Sequence, residues 1–351
     1  MERKKEEILS KQMKNKVTNE EKQIEKPEYD GNFGTVISTG STLLDLAISG
    51  GRVRGGGLPG GILVECFGPS SSGKSVLLSE IAGNVQKQKG EIMFHDPEAS
   101  LDTQFALMFG LSINKDKNYS RPDTVTEVFE TVRNWKPENK KLINGIFTDS
   151  LAALSTQMEM ENDEGDPFGG RRAKEFSEGL RKTCRIIKDK NYLMVCSNQV
   201  RDVIGATMYQ AKTKSPGGKA LEFYPSLRLE FSSPRKIKLE KQIVGKKQER
   251  IIGVETTINV FKSKIWKPFR SATVSIIFNY GLDTIKDNLQ YIKDNTENTT
   301  YTLKGEKLSN ELYKAIKIIE DSNAENDLRE EVINLWEEIE EKFVQERKAK
   351  R

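Results

Sequence analysis

Histidine occurs once in these 351 residues and cysteine three times. A single imidazole excludes the familiar metal centres built from several His or Cys at fixed offsets. His95, set among Asp96, Glu98 and Asp102 in MFHDPEASLD, therefore does not define a metal site by itself and reads most simply as a strand-end residue. Cys66, Cys184 and Cys196 are odd in number and far apart, which argues against a disulfide framework and for a reducing, cytoplasmic setting. No window approaches the roughly 18 apolar residues of a membrane span, and MERKKEEILSKQMKNK lacks an apolar core, so neither insertion nor export is expected. Charge of one sign is also scarce: 56 Lys and Arg face 52 Asp and Glu, a net of +4, so any anion binding must come from local clusters.

What is present is organisation. Residues 1 to 34 read as a charged amphipathic helix, with Leu9, Met13 and Val17 four apart, and a PEYDGNF linker. ISTGSTLLDLAISGG reads as a Ser/Thr-capped helix, and GRVRGGGLPGG as too glycine-rich for regular structure. From 35 to 283 short apolar runs alternate with helical periods. ILVECF, EIMFH, LINGIFTD and NYLMVCSN are separated by helix-length segments, whereas LRLEF, TTINVF and TVSIIF are separated by turns or hairpin loops. The expected fold is α/β, with a mostly parallel central sheet and an antiparallel finish. Residues 284 to 351 read as a small helical or α+β domain with an apolar stripe of Leu328, Val332, Leu335, Ile339 and Phe343, Trp336 beside it.

The sharpest chemical signal is GPSSSGKS, formed by Gly68, Pro69, Ser70, Ser71, Ser72, Gly73, Lys74 and Ser75, between an apolar strand and an apolar helix. Its glycines let backbone N–H groups turn inward around phosphates, the helix directs its positive end at them, Lys74 reaches the outer phosphates and Ser75 can hold Mg²⁺. Such a loop needs a carboxylate at a neighbouring strand end to position the magnesium, and IFTDS supplies Asp149. Glu98, just past the second strand, is the candidate base for water. The cofactors expected are ATP and Mg²⁺.

From residue 37 to about 281, the ordered motifs GPSSSGKS, DPEASLD, IFTDSLAAL, CSNQVR, PGGKALEFYPSLRLEF and FKSKIWKPF resemble the ATPase core of the bacterial RecA-type recombinases. YTLKGEKL is similar to that family's small lobe. The resemblance implies a DNA-dependent ATPase with Glu98 activating water, Asp102 touching adenine and Phe105 stacking on it. It implies Gln199, after Asn198, as a γ-phosphate sensor, and Lys262 and Lys264 as cations delivered into a neighbouring protomer's ATP site. DNA contact falls to two segments. EMENDEGDPFGG is followed by Arg171, Arg172, Lys174, Arg181 and Lys182, and VRDVIGATMYQAKTKSPGG carries Arg201, Ile204, Met208, Tyr209, Lys212 and Lys214. The expected partners are single-stranded DNA, then homologous duplex, copies of the same chain in a helical filament, and loader or single-strand-binding proteins, with no membrane.

The chain departs from the family pattern in four places. Val76 stands where a hydroxyl residue is usual, GRVRGGGLPGG is longer and adds Arg52 and Arg54, Glu222 reverses a charge, and the segment before Arg171 is acidic. PRKIKLEKQIVGKKQER has seven Lys or Arg against two Glu and reads as a hairpin turning at Gly245. It is either a secondary DNA surface or, more simply, a solvated hairpin lending a favourable field. Competing functions on the same core are a ring-forming, helicase-like motor and a DNA-coating ATPase that scarcely turns over.

Overall fold

The computed structural model describes residues 34–161, 170–202, 213–214 and 220–344. Residues 1–34 and 35–351 form separate units, and the expectations for the N-terminal helix lie outside the described residues. Among the described residues, no helix is long and apolar enough to cross a membrane.

In chain order the strands are β1 (Val36–Ile37), β2 (Leu58–Pro59), β3 (Ile62–Gly68), β4 (Ile92–His95), β5 (Tyr119–Ser120), β6 (Asn144–Thr148), β7 (Tyr192–Gln199), β8 (Arg201–Asp202), β9 (Thr213–Lys214), β10 (Leu227–Phe231), β11 (Arg235–Ile243), β12 (Lys246–Ser263), β13 (Ser271–Ile277), β14 (Gly281–Leu282), β15 (Tyr301–Leu303) and β16 (Glu306–Ser309). The helices are α1 (Thr42–Ser49), α2 (Lys74–Lys87), α3 (Thr103–Met108), α4 (Val125–Asn134), α5 (Gln157–Glu161), α6 (Gly170–Asp189), α7 (Ala220–Phe223), α8 (Thr284–Asp294), α9 (Leu312–Ser322) and α10 (Glu325–Lys342).

Ten of these strands make one sheet in the order β14-β13-β12-β10-β3-β7-β6-β4-β5, with β11 paired to β12. Its central members read as continuous apolar runs because both faces are covered: every residue of β3 and β6 is buried. The antiparallel part begins one strand later than expected. β10 pairs parallel with β3, Leu227 facing Val64, and only β12 reverses direction. LRLEF thus joins the parallel half although the helix immediately before it, α7, has only four residues.

The helices show why their sequences end where they do. Thr124 caps α4 and exchanges side-chain bonds with Glu127, a reciprocal cap that precedes the buried stripe Val125, Val128, Phe129 and Val132. α6 packs on α4 through Gly179, where an added Cβ would lie 2.1 Å from the Phe129 ring. GRVRGGGLPGG is not wholly irregular, since β2 within it pairs with β1. Its arginines also act as staples: Arg52 donates to the Ile265 carbonyl at 2.6 Å, and Arg54 meets Glu330 at 2.6 Å and Asn334 at 2.7 Å on α10.

The chain from α8 onward has its own core of Ile285, Leu289, Ile292, Ala315, Ile319, Leu328, Val332, Ile333 and Trp336, which also takes in Leu46 of α1. The stripe on α10 is therefore shifted from the expected one. Ile333 and Trp336 turn inward, while Phe343 is 76% exposed beyond the helix. Arg270 joins this core to the sheet, lying 4.1 Å from the Trp266 ring and 5.4 Å from that of Trp336 while clasping Glu340.

His95 closes β4 at 1% exposure, its Nδ1 2.7 Å from the Ser120 hydroxyl and its Nε2 without a partner among the described residues. Burial pushes its pKa down to about 4. Between that value and the ordinary one near 6.5 the unfolded chain binds the extra proton, so this contribution to stability is present above about 6.5 and is lost as pH falls. Burial raises Asp45 and Asp287 to about 6, which acts in the opposite direction over an overlapping range. Subtraction against a single variant isolates the histidine. Urea unfolding at about pH 7.5 and about pH 4.5 should show the stability gap between the protein and His95→Asn changing by about 3 kcal/mol; an unchanged gap contradicts the assignment.

Candidate active site

The loop between β3 and α2 is shaped by residues that tolerate close approach. At Gly73, with φ +94°, a Cβ would lie 2.2 Å from Ile276, and at Gly68 it would lie 2.6 Å from the Phe231 carbonyl. α2 begins at Lys74, so the first unpaired amides of the helix and its positive end face the same space as Ser70 to Val76. That space is a cleft of about 470 Å³. Lys74 is nearly buried, and its ammonium donates to the carbonyls of Pro69 at 2.6 Å and Gly68 at 3.2 Å and contacts the Ser72 hydroxyl at 3.4 Å. Burial lowers its pKa, opposed chiefly by Asp149.

Asp149 follows β6 and is held from two sides by the hydroxyls of Ser197 on β7 and Ser75 on α2. Burial raises its pKa, and the two hydroxyls work against that rise. A carboxylate and hydroxyls give an oxygen-only donor set, which fits Mg²⁺. Glu98 stands beside them, accepting a hydrogen bond from the Ser150 hydroxyl at 2.5 Å. Gln199, the last residue of β7, pairs in register with Gly68 and also lines the cleft. Parallel order does this: β3, β7 and β6 end at the same edge, where open α/β sheets take their ligands.

The far wall is apolar. Phe105, Met108 and Phe109 come from α3 and its end, with the Phe105 and Phe109 rings edge to face at 4.7 Å. Val254, Ile276, Ile277, Phe278 and Asn279 come from β12, β13 and the turn after it. Phe278 was missed by the sequence reasoning because it follows a strand remote from the loop, and nothing in TVSIIFNYG marks it for a ligand. Ser197 was missed likewise.

Other expected site residues are placed differently. Asp102 is not part of the cleft lining; its carboxylate caps α3, accepting from the amides of Gln104 at 2.7 Å and Phe105 at 3.0 Å. Gly68 and Pro69 contribute carbonyls to Lys74 rather than a cleft wall. Lys262 and Lys264 do not line this chain's own cleft. Lys262 donates to the carbonyls of Glu222 at 2.7 Å and Phe223 at 2.8 Å, the C-terminal end of α7, and burial lowers its pKa. Lys174 and Arg181 lie exposed on α6, opposite its buried stripe of Phe176, Leu180 and Ile187, with Arg171 exposed in its first turn. Arg172 is on the same helix, half-buried. Arg201 and Lys214 face each other in the β8–β9 pair, whereas Ile204, Met208, Tyr209 and Lys212 lie outside the described residues.

A buried network runs beneath the site. Asn198 donates to Glu65 at 3.0 Å, Glu65 pairs with Arg228 at 2.6 Å, and Arg228 lies over the rings of Phe67 at 4.5 Å and Phe261 at 5.3 Å. Burial raises the Glu65 pKa, with Arg228 the largest opposing influence. Its signal was present in the sequence, as one Glu in ILVECF and one Arg in LRLEF, charges that an all-apolar buried strand would not carry unpaired.

Comparison with known proteins agrees with this geometry. The RecA N-terminal domain family matches residues 14–283. The chain belongs to the RecA family. It is 36% identical to Protein RecA of Delftia acidovorans over 247 residues, 70% of this chain and 63% of that one. Against Protein RecA of Anaplasma marginale the identity is 36% over 249 residues, 71% and 65% of the two chains, and against that of Thermus thermophilus 36% over 253 residues, 72% and 69%. The match thus spans a little under two thirds of the length of the first two relatives.

Phe278 gives the apolar wall its test. In Phe278→Ala the dissociation constant of a fluorescent ATP analogue should rise about fivefold, the value of one aromatic contact near 1 kcal/mol, with turnover at saturating ATP unchanged. An unaltered constant would remove Phe278 from the site.

Proposed function

We propose that this RecA-family chain is a DNA recombination and repair ATPase that assembles as helical filaments on single-stranded DNA, pairs them with homologous duplex and exchanges strands. The observation that carries the reading is the position of Gln199. It touches the nucleotide cleft and is followed, two residues on, by Arg201 at the start of the basic, apolar-rich second DNA segment. A change at the outer phosphate then reaches the DNA segment along one strand end, and DNA reaches the phosphate by the same path.

The chemistry proposed is hydrolysis of ATP to ADP and phosphate. Mg²⁺, held by Ser75 and Asp149 when bound, supplies neutralisation of phosphate charge. Lys74 turns from the Gly68 and Pro69 carbonyls to the outer phosphates, and the amides of residues 70 to 76 bind the phosphate oxygens. Phe105 and Phe278 flank the base. Glu98, oriented by Ser150, accepts a proton from the attacking water, and Gln199 positions that water against the outer phosphate. Lys262 and Lys264 serve the cleft of the next copy. Arg171, Arg172, Lys174 and Arg181 of α6, with the segment from Arg201 to Lys214, track phosphates and bases of the strand. Loader or single-strand-binding proteins would act on this assembly in the cytoplasm.

A direct test combines turnover with electron microscopy. Lys74→Ala should lose nucleotide binding. Glu98→Gln should lower single-strand-dependent hydrolysis at least hundredfold, in the range set by a general base, while still forming filaments on single-stranded DNA with ATP. Closed rings of fixed size, or undiminished hydrolysis by Glu98→Gln, would overturn this function.

A further inference from the structure

α4 stops at Asn134 because Pro137 lies just ahead, and Trp135 turns to extended backbone at φ −62° and ψ 135°. The helix end is pinned from the start of β7. The Tyr192 hydroxyl donates to the Trp135 carbonyl at 2.8 Å. The Lys190 ammonium donates to the carbonyls of Arg133 at 3.2 Å and Trp135 at 3.3 Å, a cation at the negative end of the helix. The rings of Trp135 and Tyr192 meet at 5.2 Å, tilted by 39°, and Lys190 lies 5.4 Å from the centre of the Tyr192 ring.

These three side chains line a cleft of about 220 Å³ together with Lys136, Pro137, Lys140 and Asp189. Lys190 is accounted for by the helix end on which it rests. Lys136 and Lys140 are not: both are exposed, and neither has an ion pair among the described residues. Burial lowers the pKa of Lys190, and repulsion from Lys136 and Lys140 lowers it further, so the three ammonium groups crowd one space. An aromatic floor ringed by crowded cations is set up for an anion that also carries apolar surface.

We infer that this cleft docks an acidic segment of a partner protein, with one aromatic side chain seated on Trp135, Pro137 and Tyr192 and carboxylates on Lys136 and Lys140. Size decides against a cofactor: about 220 Å³ falls below the roughly 300 to 1,000 Å³ of small-molecule sites and suits a single side chain. Charge decides against a nucleic-acid strand, whose regularly spaced phosphates would meet Asp189 on the rim and Glu138, which lies between the two lysines in the chain. A peptide places its carboxylates only where the cations are. Tyr192 begins β7 and Gln199 ends it, so at about 3.3 Å per residue the cleft lies about 23 Å from the nucleotide. Docking there needs neither ATP nor DNA and leaves the nucleotide cleft open.

The test titrates the full chain into a fluorescein-labelled peptide, a phenylalanine flanked on each side by three aspartates, and reads anisotropy at about 50 mM salt. Saturable binding is expected, with a dissociation constant below about 100 μM. Alanine in place of the peptide's phenylalanine should weaken binding about fivefold, the scale of one aromatic contact. The double variant Lys136→Gln, Lys140→Gln should also weaken it about fivefold, the scale of two exposed ion pairs. The control Lys115→Gln, Lys117→Gln, on the exposed loop before β5, should change affinity less than twofold. All four lysines are exposed, so these substitutions leave the fold intact. No saturation up to about 1 mM protein, equal affinity for the two peptides, or equal losses in cleft variant and control overturns the inference. So does tighter binding of a hexathymidylate that is lost in the cleft variant, which would mark a nucleic-acid site instead.

Discussion

Charge balance in the cleft is the constraint on which the rest of the molecule turns. Among the described residues lining it, Lys74 is the sole cation, and it stands with two carboxylates, Glu98 and Asp149. A triphosphate brought there adds more negative charge to a partly buried space, where such charge is costly. Mg²⁺ held by Ser75 and Asp149 would offset part of it. The remainder calls for cations from outside this chain's own cleft, and the exposed Lys264 with its neighbour Lys262 sits on a different surface. On the proposed function, such a cleft would be completed by a second copy, and assembly on DNA would then be the switch for hydrolysis.

The fold serves that constraint by bringing strand ends together. β3 ends in the phosphate loop, β6 leads to Asp149 and β7 ends in Gln199, all at one edge of a parallel array. Below them, Asn198, Glu65 and Arg228 tie β7 to β3 and β10, and Arg228 pairs in register with Lys262 of β12. β7, which ends in Gln199, and β12, which carries Lys262, are therefore joined through one buried polar network. Breaking one member of such a network strands a charge in the interior, so the three residues hold a single arrangement. Lys262 rests on the carbonyls of Glu222 and Phe223 in α7, the short helix that precedes β10.

Much of this is legible in the amino-acid sequence. GPSSSGKS, Asp149 and Glu98 follow from local chemistry at strand ends, and the alternation of runs and periods is enough for an α/β sheet. What could not be read was whatever depends on distant pairing. Phe278 and Ser197 enter the cleft only because β13 and β7 lie beside α2, and Asp102 proves to be a helix cap because α3 starts immediately after it. β10 was expected to be antiparallel, yet it pairs parallel with β3, a pairing that local sequence does not encode. The two arginines of GRVRGGG had no sequence rationale; their partners, Ile265 and Glu330, lie more than 200 residues away. Glu65 and Arg228 were visible as charges in largely apolar strands, but their pairing depends on β3 and β10 lying side by side.

The most direct test mixes two inactive variants. Lys74→Ala retains the exported lysines without a working phosphate loop, and Lys264→Ala retains the loop without the full cation pair. If the site is shared between copies, single-strand-dependent ATPase should be near background for each alone and return to about one quarter of the parent rate in an equimolar mixture, the fraction of randomly assembled interfaces that pair an intact loop with an intact Lys264. A mixture no more active than its components, when both are shown to assemble together on the DNA, would contradict a cleft completed by the neighbouring copy.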